Sequence, residues 1–247
     1  MVEETKDVSD NKIQVGTIMM KRKWLNVIGA ILLTASLTTV STFAATMPKP
    51  WIQNKDYWCW ATAAKCVGNN ETSFSVPSSY QQVNDQTGLR TEYCGYDSST
   101  GKYIVDTKQE YIVHYCKASD IEEKGHDNLG GSTSNKKNAL KLVTGRTTGA
   151  YGAYKKNEFS NPTTRATYID AHLQDGEYVI GDAFHRNNGG HSFVIVAKND
   201  DGTYRIWDPW TNTNTTKTAS ALFTNGFTTV YDGYGYTHYI ECSIYLT

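Results

Sequence analysis

Apolar and polar positions alternate differently in the two halves of the chain. From Glu177 onward short runs rich in Val, Ile, Phe and Tyr recur: Tyr178 to Phe184, His191 to Lys198, Tyr204 to Trp207 and Tyr239 to Leu246. Each has strand length, and Asn199-Asp200-Asp201-Gly202 between the second and third is a hairpin signal. The earlier half carries longer stretches. Cys59-Trp60-Ala61-Thr62-Ala63-Ala64-Lys65-Cys66-Val67-Gly68 is Ala-rich, lacks Pro and is followed by Asn69-Asn70, which predicts a helix beginning near Cys59 and stopping at Gly68. Further helices are predicted at Pro77 to Gln86, Thr107 to Cys116, Asn135 to Val143 and Pro162 to Leu173, the last with Asn161 as cap and Pro162 at its first position. Gly125 to Ser134 and Thr144 to Tyr154 are Gly, Ser and Thr rich and read as surface loops. Helices first and strands afterwards is the α+β pattern, with a helical lobe beside a twisted antiparallel sheet.

Residues 20–45 belong to neither half. Met20-Lys21-Arg22-Lys23 is basic, Trp24 to Val40 is uncharged and largely apolar or small, and Ser41-Thr42-Phe43-Ala44-Ala45 ends in small residues. That order marks a secretory signal peptide, with a mature chain starting near Thr46. The alternative, an uncleaved anchor, needs a longer and less Thr/Ser-rich run than this one. Residues 1–19 are polar and end at Met19, just ahead of Met20, so they read as an upstream start or extended n-region and stay outside fold reasoning. Residues 46–247 are then expected to form one domain, with Pro48 and Pro50 holding its first residues extended.

Charge narrows the partners. With 24 basic and 25 acidic residues the net charge is −1, which gives no electrostatic reason to bind nucleic acid or an anionic membrane surface. The 17 Tyr and 6 Trp fit a β-rich surface, a peptide contact or a carbohydrate contact equally well. Five Cys, at 59, 66, 94, 116 and 242, leave at least one thiol unpaired. No Cys-x-x-Cys pair occurs, which argues against a structural zinc site of that type. Cys66, Cys94, Cys116 and Cys242 are open to two disulfides or to life as buried thiols, and sequence does not choose.

Two segments carry candidate chemistry. A nucleophilic cysteine must be a thiolate, and a helix start favours one because its unpaired backbone N–H groups and dipole attract negative charge. Cys59 sits at such a start, where its own N–H can also meet a developing oxyanion, and Gln53 upstream is the natural second donor. In the second segment Gly189-Gly190 precedes His191, which opens an apolar strand and is thereby held rigidly. Counted from the hairpin turn, His191 and Asp208 lie at comparable distances, so the carboxylate can accept from the imidazole. His185 lies near enough in sequence to line the same cleft, whereas His114, His126, His172 and His238 show no pattern. No His-x-x-x-His and no acidic run at metal spacing occurs, so no catalytic metal or other cofactor is expected.

Gln53 followed by Cys59-Trp60-Ala61, then Gly190-His191-Ser192-Phe193-Val194-Ile195-Val196, then Asp208-Pro209-Trp210, resembles the papain-like cysteine peptidases. Within them it is most similar to the secreted bacterial staphopain-like group and the C39-like peptidases. The resemblance is anchored at both ends of residues 51–247 and leaves about 69–161 unmatched. It implies a papain-like fold in which Cys59 attacks a peptide carbonyl, Gln53 supplies an oxyanion-hole amide, His191 moves the proton, Asp208 orients the imidazole and Trp210 shields that bond. Two departures set the chain apart from papain itself: Asp56-Tyr57-Trp58 stands where papain has Cys-Gly-Ser, and Asp208 stands where papain has Asn. The expected protein is a secreted, extracellular bacterial thiol protease, monomeric, acting on polypeptide and controlled by redox state or a separate inhibitor. Cell-wall association, an amidase acting on cell-wall peptides with the same triad, and a catalytically silent adhesin that keeps the fold are the alternatives.

Overall fold

The computed structural model describes residues 52–83, 86–90, 95–151, 162–185, 189–231 and 233–247. The predicted signal peptide, Cys94 and the predicted cap Asn161 lie outside them. Four helices precede or flank a large antiparallel sheet: α1 (Cys59–Glu71), α2 (Thr107–Lys124), α3 (Thr133–Thr144) and α4 (Pro162–Gln174). The strands are β1 (Gly95–Asp97), β2 (Lys102–Ile104), β3 (Thr148–Tyr151), β4 (Val179–His185), β5 (Gly189–Lys198), β6 (Tyr204–Asp208), β7 (Thr213–Lys217), β8 (Phe227–Tyr231) and β9 (Tyr234–Leu246). β1 and β2 form a separate hairpin, and the seven-stranded sheet runs β3-β9-β4-β5-β6-β7 with β8 added to β9. Every pairing in it is antiparallel, so the α+β class with an antiparallel sheet is observed.

The central element is α1. Its residues from Cys59 to Gly68 are all buried, because α1 packs against α2, α3, β4 and β5 at once. A helix enclosed on every side needs small or apolar residues all round, and Ala61, Ala63, Ala64 and Val67 supply them. Lys65 is enclosed too, and its ammonium pairs with Asp106. Gly68 does not end the helix as predicted: α1 runs on to Glu71 and is closed by Thr72, whose N–H and hydroxyl both donate to the Gly68 carbonyl. The glycine serves a close approach instead, since a Cβ there would lie 2.5 Å from the Val143 Cβ of α3.

Other boundaries move for similar local reasons. Asp106 caps α2 by accepting from the Gln109 N–H, and Ser132 with Asn135 forms a capping box that starts α3 two residues early, at Thr133. The helix predicted at Pro77 to Gln86 is absent among the described residues there. The segment instead lies over α2, with Tyr80 edge-on to Tyr111 at 4.9 Å and Gln82 donating to the Val105 carbonyl. The predicted loop after Thr144 contains β3, which pairs with the end of β9. β7 and β8 were not expected: β7 is an edge strand of Thr and Asn, and its polar composition carries no period-two signal. No described helix is long and apolar enough to cross a membrane.

The sheet has an apolar cluster on each face. Val194, Val196, Ile180 and Ile244 pack towards α1 and α3, while Phe193, Ile195, Ile206 and Phe227 pack with Ile169 of α4 and Leu222. Strand alternation makes this division: in β5, Phe193 and Ile195 take one face and Val194 and Val196 the other.

Candidate active site

The start of α1 meets the start of β5. Cys59 and His191 are hydrogen-bonded through their side chains, and the Ser192 backbone also bonds to the Cys59 sulfur. Cys59 is 8% exposed and His191 6%. The imidazole Nε2 lies 2.8 Å from Asp208 Oδ1, which leaves Nδ1 as the nitrogen facing the thiol. β5 and β6 are neighbours with Val194 opposite Trp207, so His191 and Asp208 fall at the same end of the hairpin.

Asp208 is held on both oxygens. Oδ1 accepts from His191 and from the Trp210 N–H at 2.8 Å, and Oδ2 accepts from the Tyr231 hydroxyl at 2.7 Å. Tyr231, at the end of β8, is the member of this cluster that the sequence does not reveal. Its strand was unpredicted, and nothing in Thr229-Val230-Tyr231-Asp232 marks it. Aromatic rings wall the dyad: Phe193 lies edge-on to His191 at 4.6 Å, Tyr231 at 5.6 Å and Trp210 at 6.5 Å. The Arg90 guanidinium stacks 3.8 Å from the Trp210 ring and donates to its carbonyl, which fixes the loop after Asp208.

The protonation pattern follows from these contacts. Burial acts to raise the Cys59 thiol, but the His191 charge, its hydrogen bond, the Lys136 charge and the Ser192 N–H outweigh it and leave the thiol below its ordinary value. Burial likewise acts to lower His191, and the charges of Asp208 and Cys59 overcome it, pushing the imidazole up to about 10. Asp208 stays low because His191, Tyr231 and the Trp210 N–H favour its charged form over the cost of burial. All three shifts favour the charged form: thiolate, imidazolium and carboxylate in a row. By contrast Cys66 is raised by burial, and Cys116 and Cys242 are pushed up to about 11 by the same cause. Cys66, Cys116 and Cys242 are free thiols, like Cys59, so none of them is joined to another described cysteine.

Gln53 is brought to the same place but not in the expected attitude. Its N–H donates to the Pro209 carbonyl at 2.9 Å, tying this segment to the Asp208 loop. Its side chain is fully buried, and Nε2 donates to the Lys55 and Asp56 carbonyls at 3.1 and 2.9 Å. Both amide protons are therefore spent on the turn that leads into α1, whereas an oxyanion-hole role needs one of them aimed at the Cys59 reaction centre. The preceding segment is anchored by Gln109, which accepts from the Asn54 N–H and donates to the Ile52 carbonyl. The side chain of His185 is outside the described residues.

No family model matches the chain, and no curated protein matches it. Among solved structures, one described as "Crystal Structure of Pseudomonas Avirulence Protein AvrPphB" is similar over 71% of this chain and 85% of that chain, at 12% identity and a TM-score of 0.32. A likeness of that size identifies no chemistry.

Proposed function

We propose that the chain is an exported cysteine peptidase with a papain-like domain over residues 46–247, its nucleophile on a helical lobe and its base on the sheet lobe. The reading rests on one observation: the His191 imidazole stands between the Cys59 thiol and the Asp208 carboxylate, with Nε2 2.8 Å from Oδ1. In the proposed reaction the Cys59 thiolate attacks a peptide carbonyl carbon, and the oxyanion forms at the first turn of α1, where the Cys59 N–H has no intrahelical acceptor. Gln53 joins as a second donor only by giving up one of its two carbonyl partners. His191 passes its Nδ1 proton to the leaving amine, leaving a thioester on Cys59. Water then attacks the thioester as His191 takes its proton, and the acid product leaves with the thiolate restored. Asp208 takes no proton in this cycle and keeps the ring in place.

Alkylation tests the thiolate directly. The lowered Cys59 keeps its charge as pH falls through the ordinary thiol range, and His191 at about 10 stays protonated throughout that window. Iodoacetamide labelling of Cys59 should therefore persist below the ordinary thiol range near about pH 8.5, while in His191→Ala burial acts without its main counterweight and the labelling profile should move to the alkaline side of that range. A wild-type profile that titrates near 8.5 removes the ion pair and with it the proposal. The bond class is read from a peptide-library digest by mass spectrometry. Release of cell-wall peptide without cleavage of casein would move the substrate to a cell-wall amide.

Export is proposed from the signal-peptide pattern of residues 20–45. N-terminal sequencing of protein recovered from culture medium should find Thr46 or a close neighbour first. Met1 or Met20 at that terminus contradicts it.

A further inference from the structure

We infer that Glu110, His114 and Asp127 form a site for one divalent transition-metal ion of the zinc class, which fastens the loop after α2 to the residues on either side of Cys59. Glu110 and His114 are one helical turn apart on α2 and present to one side, and Asp127 returns to them from the loop beyond Lys124. One ligand atom from each lies within 4.8 Å of the others. His114 Nε2 and Asp127 Oδ2 are already 3.1 Å apart, close to the roughly 3.4 Å between ligands that tetrahedral zinc bonds of about 2.1 Å impose.

The second observation is Glu110 itself. It is 0% exposed, and neither carboxylate oxygen makes a hydrogen bond of ordinary geometry among the described residues. The Tyr80 hydroxyl faces this carboxyl group and makes no hydrogen bond of ordinary geometry either. A buried carboxylate with both oxygens unsatisfied is costly, and a coordinated cation is the usual remedy. Lys55 does not fill this place. Its ammonium pairs with Asp127 Oδ1 and lies 5.1 Å from the Trp58 ring, leaving Oδ2 on the His114 side. The donor set of one imidazole nitrogen and two carboxylate oxygens suits zinc rather than calcium or magnesium, with water completing the coordination. His114, whose side chain is 21% exposed, gives the ion a way in.

The loop that the ion would secure holds the approach to Cys59. Asp127 O accepts from Trp58 Nε1 at 2.8 Å, Asn128 Oδ1 from the Tyr57 N–H at 3.0 Å and Leu129 O from Trp60 Nε1 at 3.0 Å. Occupancy should therefore be visible in the fluorescence of Trp58 and Trp60.

The test uses the Cys59→Ala chain, so that the thiol–imidazole pair does not compete for zinc. After dialysis against a chelator, ZnCl2 is titrated by calorimetry, with tryptophan fluorescence and melting temperature followed in parallel. One ion per chain is expected, with a rise in melting temperature and a fluorescence change. Adding Glu110→Gln or His114→Gln should weaken binding by about tenfold or more. His114→Gln alters a partly exposed residue and keeps the test valid if Glu110→Gln does not fold. No zinc binding, equal affinity in the His114→Gln chain, or equal binding of MgCl2 each overturns the site.

Discussion

Cys59→Ala should abolish hydrolysis, with a loss on the order of 10⁴-fold or more in kcat/KM, because without the sulfur no thioester forms and only binding and oxyanion contacts remain. Cys66→Ala is the matched control on the same helix. Cys66 lies two turns further along α1, is 2% exposed, and belongs to the core against α3 and the sheet. Its thiol is raised by burial with no histidine to offset it. Removing it should cost about 1–2 kcal/mol of stability through the space it leaves, with activity per folded molecule unchanged. Melting curves and kcat/KM on one peptide separate the two effects. Activity surviving in Cys59→Ala and lost in folded Cys66→Ala would overturn the site assignment.

The contrast also has a trace in the sequence that makes Cys59 the candidate nucleophile. Cys59 follows a polar turn and precedes an Ala-rich run, and those two features place it at the first position of α1. The His191–Asp208 pairing was legible because a hairpin fixes register: once Asn199 to Gly202 is read as the turn, counting outwards brings the two residues together. The counting was approximate, since a bulge interrupts the register between Ile195 and Ala197. What counting does not reach is anything brought in from a distant strand. Tyr231 arrives on β8, which joins the sheet through β9, and no local pattern near Tyr231 mentions Asp208. Gln53 shows the complementary limit. Its sequence position suited an oxyanion donor, but the tight turn at Lys55 and Asp56 presents two carbonyls that capture the amide first. The Glu110-x-x-x-His114 pair is silent in the sequence for a third reason: it becomes a cluster only when the loop carrying Asp127 folds back on α2.

The role of Asp208 is tested by replacing its charge and its shape separately. Asp208→Asn keeps an oxygen for His191 and loses the charge; Asp208→Ala loses both. In a thiolate–imidazolium pair both ring nitrogens already carry protons, so the third residue needs only an acceptor to hold the ring. The Asn variant should therefore retain substantial activity, well short of the roughly 10⁴-fold loss that the same change causes in a serine triad by imposing the wrong tautomer. Two details of this site temper that retention. The Asp208 carboxylate is among the main causes that push His191 up to about 10, so the Asn variant should lose its imidazolium at lower pH, and the alkaline limb of the rate profile should move down. Tyr231 and the Trp210 N–H donate to the same carboxyl group, and an Asn amide must aim its NH2 away from both His191 and Trp210. That orientation sets the NH2 against the Tyr231 hydroxyl, which can turn to accept from it. Tyr231→Phe removes this partner, so it should lower kcat/KM modestly in the wild type, by about tenfold or less, and more severely in Asp208→Asn. Asp208→Ala frees the ring to rotate and should be the worst of the single variants. The measurement is kcat/KM against pH for the wild type, the three single variants and the Asp208→Asn/Tyr231→Phe double variant on one peptide, with folding checked by circular dichroism. Equal, near-complete losses in the Asn and Ala variants would mean that the charge itself is required, and wild-type rates in both would remove Asp208 from the site.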